Sequence, residues 1–547
     1  MTAQKTKFSK VYYDNEGKWI YRMVSRDEYM RKDQIRSLES GKIPKLVYDS
    51  TEKSPYYTDT NCPYFDEKKL IPTKENESSY QQQRVKNRGF RRAIVNSGVP
   101  RKDKIYSELN SFYKPLGEYD STLVFESRFE SGNLKRAMLV DDNEYDLLMQ
   151  SDHNSPGYSQ WYYFKISNTR ANTRYTFNLS NFYKPESLYN CGMKPLMYST
   201  KKAKNDGVGW SRIGEDIWYY QNWVKRKAMV GFLYTLSFSF ELPYDNDEVY
   251  FCHSFPYTYR DCKDHLDSIW VDIRKIRKTE LWKSLAENSL DLVIVTNFES
   301  SDQDIAQREA VIITGRIHPG ETNSSFIVEG ILDFLVSEIE EAKQLREKYV
   351  FKIIPILNPD GVVIGNYRCS LSGQDLNRQW IGATSRVFPE IYYTKQMFRK
   401  TLDSRKVFLY IDIHGHSRKK NAFIYGWHNK GTDKKNHEKI FPLLYSKSHP
   451  SFSFEECNFN IQKDKEGTGR VVVRREYAVI NSFTLEVSMF GPDKGPYKDW
   501  HYTPNQLKDI GKSFWLALNE MDDTKSKATL LKQLESMLIN SNGWSSI

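Results

Sequence analysis

Between residue 262 and about residue 525, short apolar runs alternate with longer segments whose apolar residues recur at helical spacing. A chain in which strands and helices alternate in this way folds into a central sheet covered by helices, with most strands parallel. The pattern therefore predicts an α/β domain with a mixed, mainly parallel sheet flanked by helices. The predicted strands cover residues 292–295, 310–315, 350–357, 407–413 and 483–487, and the predicted helices cover about 323–345, 389–402 and 504–520.

The preceding part of the chain, residues 106–258, has a different pattern. Short aromatic and β-branched runs are separated by turn-forming residues, and the run at 234–240 alternates strictly between apolar and polar side chains. Several strands at this spacing are typical of an antiparallel β-sandwich. We therefore predict a basic, partly disordered leader at 1–105, a β-sandwich at 106–258, an α/β domain at 259–525 and a C-terminal tail at 526–547.

The amino-acid composition limits the cellular compartment and the classes of binding partner that we expect. The chain has 80 Lys and Arg against 70 Asp and Glu, and this net charge of +10 favours an acidic partner: nucleic acid, anionic lipid or an acidic polypeptide. Six scattered cysteines without a Cys-x-x-Cys pair favour reduced thiols in a cytosolic compartment. With no apolar run of about 18 residues and a polar N-terminus, neither a membrane span nor a secretion signal is predicted.

Two histidine motifs follow predicted strands and suggest a metal site. His318-Pro319-Gly320-Glu321 follows the strand at 310–315, and this tight loop can aim an imidazole and a carboxylate at one ion. Zinc suits such ligands, and a catalytic zinc needs a third protein ligand. His414-Gly415-His416 follows the strand at 407–413 and supplies a distal imidazole. Residues i and i+2 of a strand share a face, so spacing does not choose between His414 and His416.

Other polar residues also follow or interrupt these strands. Arg368, Asn377 and Arg378 lie in loops after the strand at 350–357, where arginines can bind a carboxylate or a developing oxyanion. Glu486 interrupts an apolar strand, where a carboxylate is costly to bury unless it is paired or used. It is either a general base or one partner of a buried salt bridge to Arg470, Arg474 or Arg475.

Taken in order, these motifs resemble the zinc metallocarboxypeptidases. The shared motifs are His318-Pro319-Gly320-Glu321, Asn358-Pro359-Asp360-Gly361, Asp375-Leu376-Asn377-Arg378, His414-Gly415-His416-Ser417 and the strand with Glu486. Two further segments are more similar to the cytosolic carboxypeptidases, the tubulin deglutamylase family, and the likeness spans roughly residues 120–520. Those segments are Asn366-Tyr367-Arg368-Cys369-Ser370-Leu371-Ser372-Gly373 and Lys465-Glu466-Gly467-Thr468-Gly469-Arg470-Val471-Val472-Val473. Asn181-Phe182-Tyr183-Lys184-Pro185 resembles the ciliary branch, which shortens polyglutamate chains.

The resemblance implies a fold and a set of catalytic residues. That family has a β-sandwich before its catalytic domain, as predicted here. One zinc ion per chain would be bound by His318, Glu321 and His414. Glu486 would serve as general base and proton shuttle, and Arg368 would stabilise the tetrahedral oxyanion.

The resemblance also implies the substrate contacts. Asn377 and Arg378 would bind the terminal carboxylate of the substrate, and Arg470 would pair with an acidic side chain in the specificity pocket. His416 would then be a supporting residue. Digestive carboxypeptidases carry a mobile tyrosine in this region, and residues 463–469 contain none, a departure that the cytosolic family shares.

The expected function is removal of C-terminal glutamates from acidic peptides, with tubulin or other glutamate-rich tails as partners. The protein is expected to be cytoplasmic and associated with microtubules or cilia, with axonemal contacts through its leader, and without nucleic acid binding or membrane insertion. Two alternatives remain open. An amidohydrolase of the aspartoacylase kind uses a similar His-x-x-Glu and distant His, and a catalytically unused microtubule- or axoneme-binding protein would retain the fold.

Overall fold

The computed structural model describes residues 45–50, 115–155, 157–226, 231–429, 434–521 and 529–532, together with the strands Lys7–Tyr13 and Trp19–Ser25. These residues form two compact units. The first contains the described residues up to Pro256 and also residues 363–369. The second contains residues 257–362 and the described residues from Ser370 onward.

The first unit is built from strands. A hairpin is formed by β1 and β2, a six-stranded sheet has the order β11-β12-β8-β6-β5-β3, and a five-stranded sheet has the order β10-β9-β13-β7-β4. All of these pairs are antiparallel except β6 with β8. The strands are β1 Lys7–Tyr13, β2 Trp19–Ser25, β3 Lys45–Asp49, β4 Val124–Glu126, β5 Leu134–Asp141, β6 Glu144–Met149, β7 Tyr163–Ser167, β8 Arg174–Phe182, β9 Leu196–Ser199, β10 Ser211–Arg212, β11 Glu215–Lys225, β12 Phe232–Glu241 and β13 Val249–Cys252; helix α1 is Thr200–Asp206, and a 3-10 turn spans Leu188–Cys191.

The core of this unit lies between its two larger sheets. Phe125 of the five-stranded sheet lies 5.2 Å, centroid to centroid, from Tyr145 of the six-stranded sheet. Phe251 likewise lies 5.3 Å from Phe177 and 4.8 Å from Phe240 across the two sheets. When two sheets pack face to face, side chains at alternate strand positions point inward and interdigitate, as these aromatic rings do. The predicted β-sandwich is confirmed, with one parallel strand pair.

A seven-stranded mixed sheet forms the centre of the second unit, in the order β14-β15-β17-β16-β18-β20-β19. The central strands β17, β16, β18 and β20 are parallel, and β15 and β19 run antiparallel to their neighbours. This confirms the predicted α/β fold with a mixed sheet. The strands are β14 Ile276–Lys283, β15 Ser289–Val295, β16 Glu309–Gly315, β17 Tyr349–Ile354, β18 Val407–His416, β19 Ala422–Tyr425 and β20 Asn481–Ser488.

The helices of this unit follow the predicted pattern in most places. The predicted helix at 504–520 is α10, which begins with a capping box between Thr503 and Gln506 and has Pro504 in its first turn. The predicted single helix at about 323–345 is wrong. It is two helices, because Ser337 and Ile339 adopt extended backbone conformations between them. The helices are α2 Tyr259–Ile269, α3 Asp302–Gln307, α4 Asn323–Val336, α5 Glu340–Lys348, α6 Pro359–Val363, α7 Pro389–Leu402, α8 Ile440–Ser448, α9 Gly469–Tyr477 and α10 Pro504–Glu520, with 3-10 turns at Leu376–Arg378, His437–Lys439 and Lys463–Lys465.

Much of the predicted leader and tail lies outside the described residues. The described part of the leader consists of β1, β2 and β3 with the residue after it, and the basic segment 81–92 is not included. Of the predicted tail, only 529–532 is described. Within the described part of the chain, no helix is both long enough and apolar enough to cross a membrane.

Candidate active site

Three neighbouring parallel strands bring the predicted site residues to one edge of the sheet. The loop with His318 and Glu321 follows β16, His414 lies near the end of β18, and Glu486 lies near the end of β20. His414 and Glu486 are directly opposite each other in the register of β18 and β20. The carboxyl ends of parallel strands are where α/β proteins place their sites.

The loop after β16 is held in a tight conformation by Arg316. This residue has a φ of 55°, in the left-handed region that non-glycine residues rarely adopt. Its buried guanidinium donates to the carbonyl of Pro319 at 2.6 Å and to the hydroxyl of Ser325 at 2.9 Å. These bonds join the loop to the first turn of α4 and so fix the positions of His318 and Glu321.

His318, Glu321 and His414 form a compact buried cluster. Nδ1 of His318 lies 2.9 Å from Oε1 of Glu321, and Nδ1 of His414 lies 3.0 Å from Oε2 of the same carboxylate. The two Nδ1 atoms are 3.1 Å apart. The structure thus brings together all three predicted metal ligands.

The opposite nitrogens of both imidazoles face carboxylates. Nε2 of His318 lies 3.1 Å from Oδ1 of Asp375, and Nε2 of His414 lies 2.8 Å from Oδ2 of Asp412. With a cation on the Nδ1 side, each ring would carry its proton on Nε2, donate it to that carboxylate and present the lone pair of Nδ1 to the cluster. Two lone pairs and a carboxylate would face one another at about 3 Å, an arrangement that repels unless a cation lies among them.

This donor set fits zinc. Ligand bonds of roughly 2.0–2.2 Å in a tetrahedral site place neighbouring donor atoms about 3.3 Å apart, close to the separations seen here. Four carboxylates, those of Glu321, Asp375, Asp412 and Glu486, surround two imidazoles, so a divalent cation would offset their charge. Carboxylates behind metal-binding histidines are a usual feature of zinc centres.

His416 lies outside this cluster, although it shares a strand face with His414. Its Nδ1 accepts a hydrogen bond from the backbone N–H of Lys419 at 2.9 Å. The structure therefore distinguishes two histidines that sequence spacing does not.

Glu486 lies beside the cluster rather than in it. Burial raises the pKa of its carboxyl to about 7, and the neighbouring His414 opposes that shift. In the described part of the chain it forms no ion pair with Arg470, Arg474 or Arg475, the alternative that the sequence left open. A partly buried carboxyl that titrates near neutrality is suited to exchanging a proton.

Arg470 lies in the first turn of α9, near Glu486. Its side chain is buried, and its Nε donates one long hydrogen bond, 3.4 Å, to the carbonyl of Gly426. Its guanidinium carbon lies 5.5 Å from the ring centroid of Tyr425. Burial lowers the pKa of Arg470 to about 10, which still leaves the group charged at neutral pH.

Of the other residues predicted to contact the substrate, Asn377 and Arg378 lie in the second compact unit and Arg368 lies in the first. Asn377 lies against the cluster, with its Nδ2 3.2 Å from Nε2 of His414 and its Oδ1 accepting the backbone N–H of Gly469. Arg378 follows it and is partly exposed. Arg368 belongs to the first compact unit, where the carboxylate of Asp152 accepts its backbone N–H. Its role at an oxyanion stays a prediction.

Asp375 and Asp412 were given no role by the sequence reasoning. Asp375 lies in the Asp-Leu-Asn-Arg motif that carried the resemblance. Asp412 lies inside the apolar strand Val407–His416 and is fully buried. A carboxylate in an apolar strand is the same signal that pointed to Glu486, and it could have identified Asp412.

A second group of possible ligands, His265, Glu329 and Asp333, lies on α2 and α4. Lys508 forms an ion pair with Glu329 and lies 3.9 Å from Asp333. His265 is bonded to Asp333 at 2.7 Å. Lys508 thus already occupies the space beside both carboxylates, and the group forms a polar network between α2, α4 and α10.

Two family profiles match the chain. The zinc carboxypeptidase family matches residues 274–538, and the cytosolic carboxypeptidase N-terminal domain matches residues 125–251. Among solved structures, a metallo-carboxypeptidase from Burkholderia cenocepacia has the same fold, with a TM-score of 0.60 at 19% identity over 74% of this chain and 99% of its own.

Sequence relatives agree with both profiles. Cytosolic carboxypeptidase 2 of Mus musculus is 46% identical over 72% of this chain and 46% of its own length. Cytosolic carboxypeptidase 3 of Mus musculus is 44% identical over 78% of this chain and 43% of its own length. Cytosolic carboxypeptidase 1 of Danio rerio is 38% identical over 86% of this chain and 43% of its own length. The chain thus spans about half the length of these relatives. With matches to both the N-terminal domain and the zinc carboxypeptidase domain, and with a cluster that could hold a metal ion, the chain belongs to the cytosolic carboxypeptidase family of zinc carboxypeptidases.

Proposed function

We propose that this protein is a zinc-dependent carboxypeptidase that removes C-terminal glutamates from acidic peptides, with one zinc ion per chain. The observation that carries the proposal is the combination of the His318, Glu321 and His414 cluster with Glu486 beside it and a buried arginine, Arg470, nearby. The first two features support hydrolysis, and the third supports an acidic substrate.

A zinc ion bound by the cluster would supply Lewis acidity toward a carbonyl oxygen and toward water. Glu486 takes the proton of the attacking water as the oxygen of that water bonds to the scissile carbonyl carbon. It then delivers the proton to the amide nitrogen as the C–N bond breaks. The products are a peptide with a new terminal carboxylate and free glutamate. Burial, which raises the pKa of this carboxyl, favours its holding the proton between the two transfers.

Substrate selection would rest on three cationic or polar groups. Arg378 and Asn377 would bind the terminal carboxylate, in agreement with the family resemblance. Arg470 has one long hydrogen bond to the protein and a buried charge, and such a charge is costly unless it is paired. The side-chain carboxylate of a C-terminal glutamate would supply that partner through charge-assisted bonds.

The physiological substrate that we propose is the polyglutamate side chains or tails of tubulin, as in the polyglutamate-shortening branch of the family. The resemblance to the tubulin deglutamylases and the net charge of +10 support this. We also propose a cytoplasmic location near microtubules or cilia, with the basic leader contacting axonemal proteins.

Mass spectrometry of a glutamylated tubulin-tail peptide incubated with the purified protein tests the reaction. We expect successive losses of glutamate, abolished by a chelator and reduced at least about 100-fold in Glu486→Gln. Tight binding of the peptide without glutamate loss would contradict the proposal and support the binding-protein alternative. Hydrolysis of small acylated amino acids in preference to the peptide would support the amidohydrolase alternative.

A further inference from the structure

We propose that Asp412, held by Thr314, is the positioning residue that fixes His414 for zinc binding, and that it contributes more to zinc affinity than Asp375 behind His318. The inference rests on the proposed zinc centre and concerns how this chain builds it.

The register of the sheet places these groups in a row. Thr314 on β16 is directly opposite Asp412 on β18, and Asp412 and His414 are two residues apart, so they share one face of the strand. The hydroxyl of Thr314 donates to Oδ1 of Asp412 at 2.8 Å, while Oδ2 accepts Nε2–H of His414. Both oxygens of the carboxylate are therefore engaged, and backbone pairing fixes their places.

The carboxylate also favours one nitrogen of His414 as the site of its proton. The amide Nδ2 of Asn377 lies 3.2 Å from the same Nε2, and an amide nitrogen can only donate. Nδ1 faces the carboxylate of Glu321 at 3.0 Å, so when a zinc ion occupies that side the ring proton lies on Nε2, where the carboxylate of Asp412 accepts it at 2.8 Å. The lone pair of Nδ1 is then directed at the cluster.

The two carboxylates behind the two histidines differ in their surroundings. Asp412 is fully buried, and in the described part of the chain its side-chain hydrogen-bond partners are Thr314 and His414. Asp375 keeps 11% of its side-chain surface exposed and lies 3.7 Å from a guanidinium nitrogen of Arg378. Solvent and a competing cation both weaken the influence of a carboxylate on its histidine. Asp412 should therefore polarise its imidazole more strongly than Asp375.

Loss of such a partner typically weakens metal affinity by 10- to 100-fold. We expect Asp412→Asn to lie near the upper end of that range, at about 100-fold, and Asp375→Asn nearer 10-fold. Thr314→Val removes the hydroxyl at similar volume and should weaken zinc affinity several-fold. Thr314→Ser keeps the hydroxyl and should bind zinc with the affinity of the parent.

The test measures zinc dissociation constants of the full chain, freed of metal by dialysis, by competition with a chromophoric chelator at pH 7.5. Cobalt(II) absorption spectra of the same variants report the ligand geometry. Asp360→Asn is the matched control, because Asp360 is also fully buried and bonded to Ser284 and Asn288 in the same unit. This control should bind zinc as the parent does.

Three results would overturn the proposal. They are an Asp412→Asn affinity within two-fold of the parent, an Asp375→Asn loss equal to or larger than that of Asp412→Asn, and a loss in the Asp360→Asn control as large as in Asp412→Asn. If Asp412→Asn does not fold, the Thr314 pair decides, and equal affinities for Thr314→Val and Thr314→Ser would contradict the proposal. A parent chain that fails to bind zinc would instead refute the metal centre itself.

Discussion

At the scale of single residues, the candidate metal ligands are oriented by the groups that contact them from outside the cluster. The outer nitrogen of each imidazole contacts a carboxylate, and the backbone N–H of Gly415 donates to Glu321 at 2.9 Å. Every ligand atom is thus oriented before a cation arrives. Such preorganisation reduces the cost of assembling the site at the moment of binding.

Arg470 is the residue whose replacement should change specificity. Arg470→Met removes the charge at similar length, so kcat/KM for a peptide ending in glutamate should fall about 100-fold, as expected for a buried charge pair that loses one partner. For the same peptide ending in leucine it should stay unchanged or rise. Steady-state kinetics on the two peptides measure the ratio.

The control for this experiment is Arg475→Met, an exposed arginine on the same helix. For Arg475→Met, kcat/KM on each of the two peptides should match that of the parent. A parallel loss on both peptides in Arg470→Met would show that Arg470 supports the fold and does not select the substrate.

Sequence reasoning predicted most of the residues that the structure brings together in the candidate site, because ligand spacing is a local property. His318 and Glu321 are three residues apart in one loop, and Glu486 stands out in an apolar strand. The choice between His414 and His416 needed the three-dimensional structure or a known family, since both lie on one face of β18. The pairing of Asp412 with Thr314 joins residues 98 positions apart and depends on strand order.

At the scale of elements, α4 and α10 pack at very close range. A Cβ atom on Gly511 would lie 2.2 Å from the carbonyl oxygen of Ile327, and one on Gly330 would lie 2.2 Å from that of Lys508. The missing side chains allow the two backbones to approach, and α4 begins directly after the loop that contains His318 and Glu321.

Gly511→Ala should therefore destabilise the protein despite the higher helix propensity of alanine. The methyl group must separate two backbones, which costs about 2–3 kcal/mol, against a propensity gain of roughly 0.5–1 kcal/mol. Urea unfolding measures the difference. Asn505→Ala, at an exposed position of the same helix, is the control and should be neutral or slightly stabilising; equal stability of both variants would contradict the close packing.

The first turn of α7 contains a buried carboxyl that makes stability depend on pH. Burial raises the pKa of Glu390 to about 8, the charge of Asp360 adds to the shift, and neither carboxyl oxygen has a hydrogen-bond partner among the described residues. Between about pH 4.5 and 8 the folded chain binds a proton that the unfolded chain releases. The free energy of unfolding must therefore fall as pH rises through this window.

Glu390→Gln removes this dependence. The variant should be more stable than the parent by roughly 2–4 kcal/mol at pH 8.5, and the difference should shrink toward zero at pH 5. Denaturant unfolding at the two pH values measures it. The control is Glu341→Gln, at an exposed first-turn position of α5. Its free energy of unfolding should stay within about 0.5 kcal/mol of the parent's at both pH values. A difference for Glu390→Gln that does not change with pH would refute the assignment.

Periodicity predicted the elements where each is a single amphipathic or buried segment. The helix Pro389–Leu402 has its predicted bounds, and a proline in its first turn explains why its start was clear. The break between α4 and α5 was missed, because the apolar spacing continues through 337–339 while the backbone there is extended. Tertiary packing decides such a break, and a local pattern does not contain it.

At the scale of the whole molecule, zinc should stabilise the folded chain. A ligand that binds only the folded state adds about 4 kcal/mol at a free concentration 1,000 times its Kd, which corresponds to a rise of about 10 °C in Tm for a unit of this size. Calorimetry should show that Tm falls by this amount after chelation and recovers when zinc is added back. Glu486→Gln should show the same shift, because Glu486 is not a ligand, and an unchanged Tm after verified zinc removal would contradict the cluster assignment.

The course of the chain has a practical consequence for anyone who wishes to produce the catalytic part alone. Residues 363–369 lie inside the region that matches the zinc carboxypeptidase family, yet they belong to the first unit. There, the carboxylate of Asp152 accepts the backbone N–H groups of Tyr367, Arg368 and Cys369. A fragment beginning at residue 257 would keep this segment and lose its anchor. Neither the start of the family match at residue 274 nor the unit boundary at residue 257 is therefore a place to cut, because the first unit anchors a stretch of the sequence that matches the zinc carboxypeptidase family.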